Sequence, residues 1–313
     1  MLGKTANGLF WMYRYIERAE NIARLIETGQ RIALTRLNQS DDEWRSILQS
    51  AGAEYGFDDT YSELTKDNAI DWMLRSTSNP SSILSCVAAA RQNARLVRTA
   101  ITGDVWEAMN AGHMKAKNML ARKVNESELP VTLRRLREHT AMVRGTTHGT
   151  MLRNEIYDFC RLGTFLERAD NTARILDVKY YVLLPSSSAV GTSLDNIQWE
   201  TILRSLSARG GFRMTYGANA GPREIAKFLI LDQRMPRSLA FCTSKLCSNL
   251  SYLSNEMPDA CKAMETAEKL RDTLNAASVD RILDEGLHEF LQEAQMQFAN
   301  IAQQIEIDFR FYE

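Results

Sequence analysis

Tyr15-Ile-Glu-Arg-Ala-Glu-Asn-Ile-Ala-Arg-Leu-Ile-Glu27 recurs as Phe165-Leu-Glu-Arg-Ala-Asp-Asn-Thr-Ala-Arg-Ile-Leu-Asp177, with identity or close similarity at nearly every position. Two further blocks follow in the same order. Trp44-x-x-Ile47-Leu48-x-Ser50 returns as Trp199-x-x-Ile202-Leu203-x-Ser205, and Pro80-x-Ser82-Ile83-x-x-Cys86 with Asn93 returns as Pro236-x-Ser238-Leu239-x-x-Cys242 with Asn249. One match between amphipathic helices carries little, because such helices resemble one another by composition. Three in order point to a tandem duplication of a unit of about 150 residues, too long for a solenoid repeat. The expected architecture is all-α: a helical bundle of two duplicated halves, residues 1–150 and 151–313, related by a pseudo-twofold axis and integrated into one domain.

At 100° per residue, Arg14, Glu17, Glu20, Asn21, Arg24 and Glu27 fall on one arc, and Ile16, Ala19, Ala23 and Ile26 on the opposite one. The second copy repeats this with Glu167, Asp170, Asn171, Arg174 and Asp177 against Leu166, Ala169, Ala173 and Leu176. A solvated face laced with i,i+4 pairs is the plain reading. Against it, Glu17, Arg18, Asn21 and Arg24 recur by identity while apolar neighbours such as Ile16, Leu25 and Ile26 change. Phe10 and Tyr13 also extend the same arc, so a fully exposed stripe would show large aromatics to water. The sequence therefore predicts that the two long helices lie side by side, with Glu17, Arg18, Asn21 and Arg24 facing or adjoining Glu167, Arg168, Asn171 and Arg174. Both signs of charge occur together because a buried charge persists only when paired.

Outside these blocks, apolar residues recur at three- and four-residue spacing, which predicts helix almost throughout and no strand. Expected helices cover about 7–37, a segment capped by Ser40-Asp41-Asp42-Glu43, 71–75, 82–101, 105–123, 130–146, 151–184, 197–208, 222–231, 236–254, 259–276 and 279–310. Gly52 to Asp59 reads as a loop, and Pro185 to Asp195 as the linker between halves.

Thirty-eight basic against thirty-nine acidic residues leave no overall field to attract nucleic acid or an anionic membrane, so any anion site must be local. The 44% apolar content supports a core without staples. Cys86, Cys160, Cys242, Cys247 and Cys261 lack C-x-x-C spacing, which fits a reduced, cytoplasmic compartment. Nothing resembles a signal peptide or a membrane span.

Other candidates are Arg91, Arg95 and Arg98, which line one helical face suited to carboxylate or phosphate oxygens, or else form a solvated face. Trp106 reads as core, and Arg134, Arg135 and Arg137 as ordinary surface. Glu17, Glu20, Glu167 and Asp170 echo dimetal bundles but lack a histidine three residues after a glutamate, so neither metal nor cofactor is expected. The Tyr216–Pro222 turn lacks the lysine of a phosphate loop and follows no strand. No nucleophile elbow and no Cys/His pair is present.

The motifs ERAENIAR at 17–24 and LERADNTARILDVKYYVLLP at 166–185 resemble the alpha-E family, named for its helical fold and Glu-Arg motif. Trp11-Met12 with Arg14-Tyr15, Ala90–Arg95, Trp106-Glu107, Gly149–Arg153 and Pro236–Leu239 extend the resemblance over nearly the whole chain. Tyr13 stands where a glycine like Gly163 is usual, Thr164 where arginine is common, and Asn154 where aspartate is. The resemblance implies a bacterial protein encoded beside, or fused to, a circularly permuted ATP-grasp ligase, often with a transglutaminase-like protease nearby. It implies no catalytic residue.

The expected function is that of a helical partner in ATP-grasp-linked peptide or amide-bond synthesis. It would bind an anionic peptide, amino acid or acyl-phosphate between its halves through Glu17, Arg18, Asn21, Arg24, Glu167, Arg168, Asn171 and Arg174, extended by Arg91, Arg95 and Arg98. Two alternatives stand beside it: a transferase using a Glu as general base, and a scaffold whose Glu-Arg motifs only pin the halves together.

Overall fold

The computed structural model describes residues 1–33, 41–183, 193–217, 221–256 and 262–312. Fifteen helices and no strands occur among the described residues. They are α1 (Gly3–Ala33), α2 (Asp41–Ser50), α3 (Phe57–Thr60), α4 (Lys66–Arg75), α5 (Ile83–Leu96), α6 (Gly103–Met119), α7 (Leu129–Thr150) and α8 (Glu155–Leu183). Then come α9 (Ser193–Ser205), α10 (Arg209–Tyr216), α11 (Pro222–Ile230), α12 (Leu239–Glu256), α13 (Lys262–Ala276), α14 (Val279–Glu285) and α15 (Leu287–Asp308).

The central pair is α1 and α8, which run in the same direction. Gly163 lies against Phe10 and Arg14, and further along Glu167 meets Arg18 and Arg168 meets Glu17. A β-carbon on Gly163 would overlap the Phe10 carbonyl, so glycine lets the two backbones close up there. Position 13, where the self-comparison would place a second glycine, holds a buried tyrosine whose hydroxyl hydrogen-bonds the Thr147 hydroxyl.

Around this pair, α5 and α7 pack on α1, while α12 and α15 pack on α8. The shorter helices cross over: α2 packs on α8, and α9 on α1. Both end in the same manner. Gly52 (φ 61) and Ser207 (φ 55) adopt left-handed backbone, and the next amides, Ala53 and Ala208, return to Leu48 O at 2.9 Å and Leu203 O at 2.8 Å, satisfying carbonyls that the helix end leaves free. Gly52 does this without steric cost, whereas Ser207 carries a β-carbon into the same conformation.

Ser82 caps α5 by accepting the Ser85 amide at 3.1 Å, and Ser238 accepts the Phe241 amide at 3.0 Å. One turn on, the buried thiols of Cys86 and Cys242 each lie 3.8 Å from a proline carbonyl, of Pro80 and Pro236. Burial raises both thiols to about 12, so they pack as small apolar groups.

Several boundaries differ from those expected. Within the Gly52–Asp59 loop, Phe57 starts a helical turn and buries its ring against Trp72. The helix expected at Asp71 begins at Lys66, because Thr65 caps the Asn68 amide, and α5 stops at Leu96 rather than Ile101. Helix α10 follows directly on the turn at Ser207 and was not expected; its Phe212 packs on Phe228. The helix expected over 279–310 is broken at Gly286 (φ 122) into α14 and α15. Residues 193–195 of the expected linker belong to α9. The rest of that linker, the expected ends at Leu37 and Asp259, the Ser40 cap and Cys261 lie outside the described residues.

Candidate functional site

The α1/α8 contact is built on two reciprocal ion pairs. Arg18 donates Nε to Glu167 Oε1 at 2.6 Å and Nη2 to Oε2 at 3.1 Å. Arg168 donates Nε to Glu17 Oε1 at 2.9 Å and Nη2 to Oε2 at 3.0 Å. Each helix thus places its carboxylate in the planar fork of the other's guanidinium, the geometry in which two parallel N–H donors match two oxygens. Glu17 is 0% and Glu167 2% exposed.

One turn on, Arg24 folds back onto Glu20, with Nη2 at 2.7 Å, and gives Nη1 to the Ser205 carbonyl of α9. Arg174 folds back onto Asp170 at 2.7 Å and gives Nη1 to the Ser50 carbonyl of α2 at 3.4 Å. Ser50 and Ser205 are the matching residues of the second sequence block. The crossed-over helices are therefore tied, through their last carbonyls, to the helix on which each packs, where a cation also suits the negative end of the helix dipole.

Here the likeness of the two sides stops. Glu167 receives one more cation, Arg14 at 2.8 Å. Glu17 receives two, Arg144 of α7 at 3.3 Å and Arg237 before α12 at 3.1 Å. The same two arginines reach Glu20, Arg144 at Oε2 and Arg237 at Oε1, each at 2.5 Å, and the Thr140 hydroxyl donates to Oε2 at 2.7 Å. Four carboxylates (Glu17, Glu20, Glu167, Asp170) thus meet seven guanidinium groups (Arg14, Arg18, Arg24, Arg144, Arg168, Arg174, Arg237), a surplus of 7 − 4 = 3 positive charges.

Burial alone would raise the Glu17 carboxyl, but Arg168, Arg144 and Arg237 outweigh it and hold it at about 2. Glu167 is held at about 2 by Arg18 and Arg14 against the same burial. Glu20 is also held well below the usual carboxylate range, burial being overcome by Arg237, Arg144 and Arg24. Arg18 is raised chiefly by Glu167; Arg168 is raised by Glu17 in spite of its burial. Arg237 goes the other way: burial, then the charge of Arg24, brings it down to about 10, Glu17 and Glu20 notwithstanding.

Asn21 and Asn171 are buried on the same stripes. Both polar atoms of the Asn21 amide, and Oδ1 of Asn171, have no hydrogen-bond partner. All eight residues predicted on the two long helices are therefore buried or half-buried at or beside the contact.

Arg91, Arg95 and Arg98 are not drawn into it. Arg91 donates to Asn110 Oδ1 at 2.7 Å and lies over Trp106, as does Arg98, while Arg95 is exposed. No ion pair among the described residues joins them to the α1/α8 carboxylates. Trp106, expected in the core, is a half-buried platform for these cations. Arg137, expected at the surface, pairs with Glu27 at 2.9 Å.

The sequence reading missed Arg144, Arg161 and Arg237. Arg237 had a signal, since it stands in the third matched block where the earlier segment has Ser81; Arg161 likewise aligns with Trp11. Arg144 had none, because it is one of several arginines on an amphipathic helix. Among the described residues no group of three or more His, Cys, Asp or Glu could hold a metal ion, and no helix is long and apolar enough to cross a membrane.

Compared with known proteins, residues 1–309 match a family model described as "Alpha-E: a predicted alpha-helical domain with a conserved ER motif". No curated protein and no solved structure matches the chain.

Proposed function

Since the chain belongs to the Alpha-E family over residues 1–309, we propose that it is a helical partner in an ATP-grasp-linked system for peptide or amide-bond synthesis. In this reading its Glu-Arg motifs clamp two halves together, and its surplus guanidinium charge holds an anionic reactant. The ligase, and the transglutaminase-like protease beside it, rest on the family resemblance; the anionic reactant rests on the structure. The observation that carries it is the seven-to-four excess of guanidinium over carboxylate, because a low-dielectric interface tolerates unbalanced charge only when a counterion or water supplies the remainder. A bacterial cytoplasmic setting fits the same reading.

The glutamates serve as anchors. A general base needs an accessible oxygen and a pKa near the working pH, whereas Glu17 and Glu167 have both oxygens occupied and are held at about 2. That disfavours a transferase relying on either glutamate. Co-purification with the neighbouring ATP-grasp protein, followed by mass spectrometry of products formed with ATP, tests the proposal. If the two proteins neither associate nor affect each other's products, the ligase partnership is abandoned.

We further infer that residues 1–150 and 151–313 descend from one duplicated unit, related by a pseudo-twofold axis and folding as one body. The reciprocal Glu-Arg pairs, the exchanged α2 and α9, and the paired caps at Ser82 and Ser238 support this. Calorimetry should give one unfolding transition, and two separated transitions would count against a single body. An experimental structure in which α1–α7 fails to superpose on α8–α15 would remove the axis.

A further inference from the structure

The two flanks of the α1/α8 pair offer an internal control. On the Glu167 side the clamp is complete with Arg14, Arg18 and Arg174. On the Glu17 side Arg168 and Arg24 already supply the matching bonds, yet Arg144 and Arg237 are added. Glu17 and Glu20 thus face four guanidinium groups, leaving 4 − 2 = 2 positive charges over.

A fifth arginine stands alongside. Arg161 lies over the Phe165 ring at 4.3 Å and near Tyr157 at 5.8 Å, and makes no ion pair or hydrogen bond among the described residues. It is two helical turns before Arg168 and on the same side of α8. Stacking on an aromatic face leaves a guanidinium's in-plane N–H donors free for another acceptor. Burial brings Arg161 below its ordinary value, Tyr157 opposing it and Arg168 adding to it. Arg144 and Arg168 each keep an edge toward solvent, at 20% and 11% side-chain exposure. The opposite flank has Trp11 where this one has Arg161, and Ser81 where it has Arg237.

We propose that Arg144, Arg161 and Arg168, backed by buried Arg237, form a binding site for a doubly charged phosphoryl group, on the Glu17 flank alone. With Arg161 included the local surplus is 5 − 2 = 3, and a dianion offsets more of it than a monocarboxylate does. Three guanidinium groups from two helices can surround a tetrahedral oxyanion, each giving charge-assisted hydrogen bonds. The phosphoryl group can belong to free phosphate or to a phosphorylated reactant, such as the acyl phosphate that an ATP-dependent ligation forms. This rests on the anionic-reactant reading above and not on the ligase partnership.

The test is calorimetric titration of the full chain with inorganic phosphate at pH 8, where phosphate is mainly a dianion, against acetate and acetyl phosphate at matched ionic strength. Phosphate and acetyl phosphate are expected to bind at least tenfold more tightly than acetate. Arg161→Gln is expected to lose about tenfold in phosphate affinity with an unchanged unfolding temperature, since it takes no part in the clamp. Arg161→Lys should recover part of that loss, and Arg134→Gln, on the exposed face of α7, should lose none. Acetyl phosphate binding well above phosphate identifies a phosphorylated reactant as the ligand, and equal binding identifies free phosphate. Phosphate binding that survives Arg161→Gln but is lost in Arg14→Gln would move the anion to the other flank, overturning this site while keeping the anionic-reactant reading. Phosphate no better than acetate overturns the phosphoryl assignment, and binding of none of the three overturns the site; the ligase partnership is decided separately by co-purification.

Discussion

The Glu167 flank and the Glu17 flank share the motif Glu-Arg-Ala-x-Asn-x-Ala-Arg and end in different electrostatic states. On the first, each carboxylate meets arginines that reach toward water: Arg14 at 13%, Arg18 at 24% and Arg174 at 32% side-chain exposure. On the second, Glu17 and Glu20 are sealed beneath four arginines, of which Arg237 and Arg24 are almost wholly buried. A reciprocal Glu-Arg pair across two helices therefore suffices to hold α1 against α8, since one flank manages with little more. What lies on the other flank beyond that requirement is surplus to the clamp, and the surplus is all positive.

The sharpest way to break this comparison is to remove the two glutamate charges separately. Glu17→Gln leaves Arg168, Arg144 and Arg237 without their shared anchor and should cost roughly 3–5 kcal/mol. Glu167→Gln strands only Arg14 and Arg18, which can turn to solvent, and should cost roughly 1–3 kcal/mol. Urea unfolding monitored by circular dichroism ranks the two, and equal losses would mean that the flanks do not differ as described.

Gly163→Ala acts on both flanks at once, because its β-carbon would meet the Phe10 backbone and push α1 from α8. A loss of roughly 3 kcal/mol is expected, with both sets of ion pairs weakened. A fully stable variant would show that the close approach is dispensable.

Acid separates charge from packing. Glu17 and Glu167 have folded values depressed from 4.5 to about 2. Their contribution is therefore fully present above pH 4.5 and is lost as pH falls toward 2. For Glu167 this amounts to roughly 3 kcal/mol. Stability of the wild type should fall steeply over that window, and that of Glu167→Gln less steeply; identical acid profiles would rule the linkage out.

The two smallest expected effects are the most specific. Arg237→Met removes a cation whose charge is already disfavoured, and leaves Glu17 with Arg168 and Arg144, and Glu20 with Arg24 and Arg144. A loss below about 1 kcal/mol is expected, and a loss as large as that of Glu17→Gln would make Arg237 part of the clamp. Asn21→Leu replaces an amide with no partner by an apolar group of similar size and should be neutral or stabilising by about 1 kcal/mol. A clear destabilisation would point to water bound by that amide.

The helical class, the central pair and its charged stripe were legible because a helix imposes a fixed period on its own residues, and the recurrence of Glu17, Arg18, Asn21 and Arg24 as Glu167, Arg168, Asn171 and Arg174 marked which positions mattered. The break at Gly286 was less legible, since the apolar spacing continues through it and only the backbone conformation interrupts it. Helix α10 was hidden because the turn at Ser207 uses a residue that seldom adopts positive φ. The packing of α2 on α8 and of α9 on α1 was not legible in their matched block, because nothing about Ser50 or Ser205 announces that its carbonyl will receive an arginine from a helix distant in the chain.

By itself the sequence determined that long amphipathic helices form, that two of them match, and that their polar faces carry charges of both signs. Those properties are local, written in the 3.6-residue period and in residue identity. Only the tertiary structure decided that Arg144 and Arg237, far apart in the chain, converge on Glu17 and Glu20, whereas Arg91, Arg95 and Arg98 turn to another helix. A charge balance is a sum over neighbours in space, and separation along the chain does not say which neighbours those will be.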